Sequence, residues 1–505
     1  MTTPAPPPYG GQPGPADLLD NGAASADRSG RGPLRTGLIV GAVVLALSVA
    51  GAAYGVEHYF GGGGAQPADV LPASAVAVVT IDLDPSLGQK KAIYDLSRKF
   101  PKVKEKARSP QSVKNDLLTS VFQDDPQGVR YDRDIEPWLG KRVAIAAVPD
   151  SNGPGLSPVV ALQYTDRSKA AASLTRLVDR DRADPNAFHF AFSGDYALLA
   201  RTQAAADRYA GQKDHLAGNA SFSKAVAALD GDQIALAWAD VKGVYAALPK
   251  DQLASNPFFN RAGAPPDGSL VVGLHADSSY LEVQGKTVGV VHSLVDGGST
   301  RIGNSQGGNL LATFPRDSAA AVEATGLGDT VTRLYSSLAE KVPPEFTQGL
   351  EQIGLALPGD LEVLLGNDTA GFVAAGPDRS SPSAAVHVRT ADPARAVSIL
   401  DRIGAKARED GSGVPFVVRT QGDGYLLGSG KDSLDAAGSG DLGRSDSFRT
   451  AVPDAQTAGF AVFVDINRVA AMADAPSDAD LGQLDAFGMT ANPATGSFRV
   501  RLTVR

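Results

Sequence analysis

The sequence predicts an α+β protein built by tandem duplication: two copies of a unit in which helices pack a largely antiparallel sheet, preceded by one transmembrane helix. Three observations carry that expectation. An uncharged run of twenty residues, Gly37–Val56, stands near the start of the 505-residue chain. Beyond it, an order of strands, turns and helices repeats at an offset of about 225 residues. Tight Gly-Asp turns join several of the β-rich runs, and such turns favour antiparallel hairpins.

Residues 1–36 open MTTPAPPPYGGQPGP and are rich in Pro and Gly, so they are expected to be a disordered cytoplasmic tail. Gly37–Val56 would span about 30 Å as a helix, the thickness of a hydrocarbon core, and has no polar face. Arg28, Arg31 and Arg35 precede it, and no Lys or Arg follows until Lys90, so the positive-inside rule puts the N-terminus in the cytoplasm. That makes the protein single-pass at the plasma membrane, with its C-terminal part extracellular and the lipid bilayer as its first partner. The long leader and long apolar run favour an uncleaved anchor over a signal peptide. Gly37, Gly41, Gly51 and Gly55 form two small-xxx-small patterns, a helix-pairing face suited to a homodimer.

A Gly-rich linker is expected at 57–68, then an extracytoplasmic α+β copy one at 69–300 and copy two at 301–505. PVVALQYTDRSKAAASLTRLVDR from Pro158 reads as a strand, a helix start at Asp166 and an amphipathic helix, and SAAVHVRTADPARAVSILDRIGA from Ser383 repeats that order. Gly194-Asp195 and Gly422-Asp423 mark matching hairpin turns. Ser221-Phe222-x-x-Ala225-Val226 matches Ser447-Phe448-x-x-Ala451-Val452, and the strands ending in Asp240 and Asp465 match each other. VLPASAVAVVTIDL from Val70 resembles TFPRDSAAAVEATGL from Thr313 more weakly, as PWLGKRVAIAA resembles LPGDLEVLLG near Gly359.

Composition narrows the chemistry. Hydrophobic residues make up 43% and charged residues 20%, an ordinary globular balance, and the net charge of −9 disfavours nucleic acid as a partner. The absence of cysteine removes disulfides, thiolate metal sites and a thiol nucleophile. Six histidines (His58, His189, His215, His275, His292 and His387) show no metal-ligand spacing. GYLLGSGKD, Gly424 to Asp432, lacks phosphate-loop spacing and reads as a hairpin and loop. Acidic clusters at Asp82 with Asp84, at Asp124, Asp125, Asp132 and Asp134, and at Asp474, Asp478 and Asp480 lack the glycine and terminal Glu of a calcium loop. Asp82, Asp240 and Asp465 each follow an apolar strand, where a helix N-cap is expected.

The Leu71-Pro72 strand opening, Ile81-Asp82-Leu83-Asp84-Pro85, the Trp138-Leu139-Gly140 turn and the repeated Ser-Phe-x-x-Ala-Val segments resemble a family. It is the group of actinobacterial membrane proteins that carry the domain of unknown function 3352, and the resemblance covers residues 69–505. It implies no activity, so no catalytic, cofactor-binding or metal residue is assigned, and no cofactor. A non-enzymatic envelope binding or scaffold module is the leading expectation. The alternatives are a carrier of lipid or another apolar ligand, and a cell-envelope hydrolase using acidic residues.

Overall fold

A computed structural model describes residues 64–505 except 102–130, 152, 181–186, 251–252, 254–266, 290–309, 339–348, 351–354, 377–381, 410–415 and 476–479. The expected tail, the transmembrane run and its four glycines lie outside the described residues. Among the described residues no helix is long and apolar enough to cross a membrane. The first half contributes β1 (Ala77–Asp82), α1 (Leu87–Lys99), β2 (Leu139–Pro149), β3 (Leu156–Tyr164), α2 (Arg167–Arg180), β4 (His189–Ser193), β5 (Tyr196–Ala200), α3 (Gln203–Gly211), α4 (Ala220–Val226), β6 (Ala235–Asp240), α5 (Val241–Ala247), β7 (Ser269–Ala276) and β8 (Tyr280–Val288). The second contributes β9 (Ala320–Thr325), α6 (Leu327–Leu338), α7 (Gly359–Leu365), β10 (Asp368–Ala374), β11 (Ser383–Arg389), α8 (Pro393–Glu409), β12 (Val417–Gln421), β13 (Gly424–Gly428), α9 (Lys431–Ala437), α10 (Asp446–Ala451), β14 (Phe460–Asp465), α11 (Ile466–Met472), β15 (Leu484–Asn492) and β16 (Ser497–Val504).

All sixteen strands among the described residues join one antiparallel sheet, ordered β12-β13-β11-β10-β9-β14-β15-β16-β8-β7-β6-β1-β2-β3-β5-β4. From the central β8–β16 pair outward, the strands of each half follow the same sequence of positions. The sequence-expected hairpins are present: β4 and β5, and β12 and β13, are each joined by a two-residue turn. Gly194 and Gly422 take φ of 52° and 57° there, a left-handed backbone that a side chain would strain.

The repeated Ser-Phe-x-x-Ala-Val segment has a packing reason. In each half its phenylalanine meets an aromatic ring of the adjacent strand. Phe222 lies edge-on to Trp238 at 5.4 Å, and Phe448 to Phe463 at 5.4 Å. Asp240 and Asp465 cap α5 and α11 as expected, accepting from Gly243 N at 3.1 Å and Arg468 N at 3.0 Å. Asp166 and Asp392 do the same for α2 and α8.

Three sequence readings are corrected. Asp82 is not a helix cap: Ser86 caps α1, and Asp82 is buried against Arg142 at 3.3 Å. The stretch at Gly359 is the helix α7 rather than a partner of β2, whose place in the second half belongs to β10. Its leucines supply a helical stripe, which the strand-like match had obscured. The end of the expected linker also belongs to the body: Pro67 and Ala68 are buried, and Tyr196 Oη donates to Ala65 O at 2.8 Å.

The β8–β16 ladder pairs Ser497 with Lys286 through to Thr503 with Tyr280. On one face of that seam Glu282, 3% exposed, accepts from Arg501 Nε at 2.6 Å and Arg499 Nη1 at 3.2 Å. Arg499 reaches Asp230 of the first half and Asp454 of the second, each at 3.0 Å. Removing Glu282 leaves two guanidinium groups facing each other with their shared carboxylate gone. Glu282→Ala is therefore expected to destabilise the protein by about 3–5 kcal/mol in a urea titration. Lys91→Ala, which breaks the exposed Lys91–Asp95 pair, is expected to change stability by less than about 1 kcal/mol.

Candidate functional site

The two faces of the sheet are covered unequally. On one face α3 and α4 bury Val78, Ala146, Leu236 and Trp238, and α9 and α10 bury Ala321, Phe372 and Phe463. The other face is covered at its wings. There α2 packs Ala170 and Leu174 against Ala197 and Leu162, and α8 packs Ala396 and Leu400 against Val388 and Leu427. At one end of the first half, α5 adds Val241 and Val244 over Ala77, Ala147 and Ala239.

Between those wings the second face is apolar across ten consecutive strands, β2 to β10, a width of about 40 Å at the usual strand spacing. One apolar row crosses all ten strands without a break. Val143 lies opposite Ile81, Ile81 opposite Ala235, and Ala235 opposite Leu274. Leu274 meets Val283, Val283 meets Val500 across the seam, and Val500 meets Met489. Val462, Val322 and Gly371 continue the same row. Ile81, Ile145, Leu281, Val322 and Val373 on this face are each 38–43% exposed. An antiparallel sheet with one packed face ordinarily shows polar residues on the other, and soluble proteins rarely leave apolar patches of more than a few hundred Å² open. This face is the candidate functional site.

The signal was present in the sequence. AVAVVTID, KRVAIAAV, IALAWAD, SLVVGLHA and GFAVFVD are apolar at nearly every position, whereas a strand with one solvated face alternates. Such runs mark both faces of a strand as apolar without showing which face the helices cover.

The ionisable residues picked out by sequence are mostly structural. Asp82 and Arg142 form a buried pair at the end of β1 and β2, and burial raises the Asp82 carboxyl despite Arg142. At the same place in the second half stand Thr325 and Asp368, and the cation comes instead from Arg389 on β11, 3.5 Å from Asp368. Glu323 is buried and accepts from the backbone N–H of Leu310 and Leu311, each at 3.1 Å; burial raises its carboxyl as well. Burial also lowers His387, whose two ring nitrogens have no hydrogen-bond partner among the described residues. His275 Nδ1 lies 2.9 Å from Gln89 Nε2. Asp134 pairs with Arg133 at 2.8 Å. His58, His292, Asp124, Asp125 and Asp478 lie outside the described residues. Among the described residues no group of three or more His, Asp or Glu is placed to hold a metal ion. Gly424 to Asp432 forms β13 and then opens directly into α9, so its expected loop is only a short link. A pocket of about 280 Å³ lies between Arg468, Ala471 and Met472 of α11 and Ala375 and Gly376 beyond β10, smaller than most ligand pockets.

The described residues thus form an α+β fold, a wide antiparallel sheet with helices on both faces and an apolar strip on one of them. The model of the family described as "Protein of unknown function (DUF3352)" matches residues 38–411, and the chain belongs to that family. No curated protein matches the chain, and no solved structure does.

Tyr425 offers a check on the packing of the second wing. It is buried against α8, donates to Leu364 O at 2.5 Å, and burial pushes its hydroxyl up to about 12. Because the folded value exceeds the unfolded one, this stability is intact below pH 10 and is lost as pH rises toward 12, by about 2–3 kcal/mol. Tyr425→Phe is expected to flatten that alkaline limb in a pH series of urea titrations, while lowering neutral-pH stability by about 1 kcal/mol.

Proposed function

We propose that the chain is a membrane-tethered, non-enzymatic binding module of the actinobacterial cell envelope, whose open apolar sheet face carries lipid or another apolar ligand. The observation that carries this reading is the second apolar face, uninterrupted over ten strands and walled by α2 and α8. Water against that strip is unfavourable, and an acyl chain laid over it replaces water with dispersion contacts. In this reading Gly37–Val56 is the plasma-membrane anchor, with the N-terminus cytoplasmic and the sheet domain extracellular. Gly37, Gly41, Gly51 and Gly55 pair two anchors in a homodimer. Residues 69–300 and 301–505 are the two copies of a duplicated unit, a reading supported by the matching strand order on either side of the seam. A wall-glycan hydrolase has less support, because Asp82, Glu282, Glu323 and Asp360 are held by arginines or backbone N–H groups.

The test is the lipid that copurifies with the full-length protein, extracted and quantified by mass spectrometry. An Ile145→Asp, Val322→Asp double variant places two carboxylates on the strip. Bound lipid is expected to fall by at least about fivefold, with Tm shifted by only about 2–4 °C, since both side chains already touch solvent. Wild-type protein without lipid, or a variant that keeps it, overturns the reading.

A further inference from the structure

The apolar strip does not end alike in the two halves. Where β1 and β2 run out, Lys141 follows Val143 and Ile145 on the same face of β2. Its carbonyl accepts from Leu83 N at 2.6 Å, which sets Lys141 beside the end of β1 and two residues from Ile81. Lys141 Nζ lies 3.1 Å from Asp84, and Lys90 Nζ of α1 lies 2.6 Å from the same carboxylate. Two ammonium groups thus share one acid. α1 continues the rim, carrying Lys90, Lys91, Arg98 and Lys99 against the single acid Asp95, and Lys99 Nζ reaches Val504 O at the end of β16. The helix in the corresponding place of the second half, α6, has one acid and one base in its described span, Asp329 and Arg333, paired at 2.8 Å. On a chain of net charge −9, the described charges of α1 thus leave that rim of the strip basic, whereas those of α6 cancel.

We infer that the strip takes an anionic amphiphile in a fixed direction. Its acyl chain lies along Ile81, Val143 and Ile145, and its carboxylate or phosphate headgroup sits at the α1 rim, met by Lys90 and Lys141. This rests on the reading of the strip as a lipid-carrying face and adds the ligand's charge and polarity. Each ammonium has three N–H donors and gives one direction to Asp84, which leaves donors for a headgroup. Lys141 is 63% exposed and Lys90 33%, so an incoming anion reaches both without opening the core. Ion pairs in such half-exposed positions contribute modestly, so the preference for an anionic over a neutral headgroup is expected to be about threefold to tenfold.

The experiment uses full-length protein in a neutral amphipol, with a diazirine-bearing palmitic acid and the matching palmityl alcohol as probes. Crosslinks are mapped by peptide mass spectrometry. Both probes are expected to label Ala77–Asp82 and Leu139–Pro149, the acid about threefold to tenfold more strongly. In a Lys90→Gln, Lys141→Gln variant the acid is expected to drop to the level of the alcohol, with alcohol labelling and Tm unchanged. Equal labelling of the wild type by acid and alcohol overturns the headgroup assignment and leaves the carrier reading standing. Labelling of these strands by neither probe overturns both. An acid preference that survives in the lysine variant also overturns the assignment to Lys90 and Lys141.

Discussion

The β8–β16 ladder is the interaction on which the rest of the architecture depends. Without it, β8 and β16 would each be an exposed edge with unpaired N–H and C=O groups, and each half would be an eight-stranded sheet of its own. Backbone pairing alone does not select one strand over another. The charges on the seam supply that selectivity. Glu282 on β8 meets Arg499 and Arg501 on β16, and Arg499 divides its remaining contacts between Asp230 and Asp454, one from each half. Arg501 also lies 4.0 Å over the Tyr280 ring. A one-residue slip would carry these groups to the apolar face, so the knot of charge fixes the register as well as the partner.

That fixed register has a direct consequence for the open face. Because side chains alternate strictly along a strand, locking the charges to one face puts Leu281, Val283, Val500 and Leu502 on the other. The apolar rows of the two halves then run on as one strip rather than two. Joining the halves thus makes a surface that neither could present alone, wide enough for an extended chain molecule and bounded by helices at its wings.

The halves share a plan and differ in electrostatics. The buried Asp82–Arg142 pair has no counterpart among the described residues of the second half, where Thr325 and Asp368 stand at those positions and Arg389 on the next strand supplies the base. α1 is strongly basic, while the described charges of α6 cancel. The scaffold requires burial, caps and aromatic contacts, which recur in both halves. Charge is free to diverge wherever a local partner compensates, and that freedom gives the strip a direction.

The strands, the Gly-Asp hairpins, the aspartate caps at Asp240 and Asp465 and the recurring phenylalanine segment were all legible in the sequence. Each depends on residues close together in the chain, through periodicity, a left-handed turn or a side chain bonding its own helix start. The misreadings at Asp82 and Gly359 arose where a distant partner decided the outcome. Arg142 drew the aspartate into a buried pair, and a helix occupied the stretch that resembled a strand. The union of the halves through β8 and β16 belongs to tertiary structure alone, because contacts such as Glu282 with Arg501 cross more than two hundred residues. So does the open strip, since apolar residues at every strand position do not reveal which face the helices will cover.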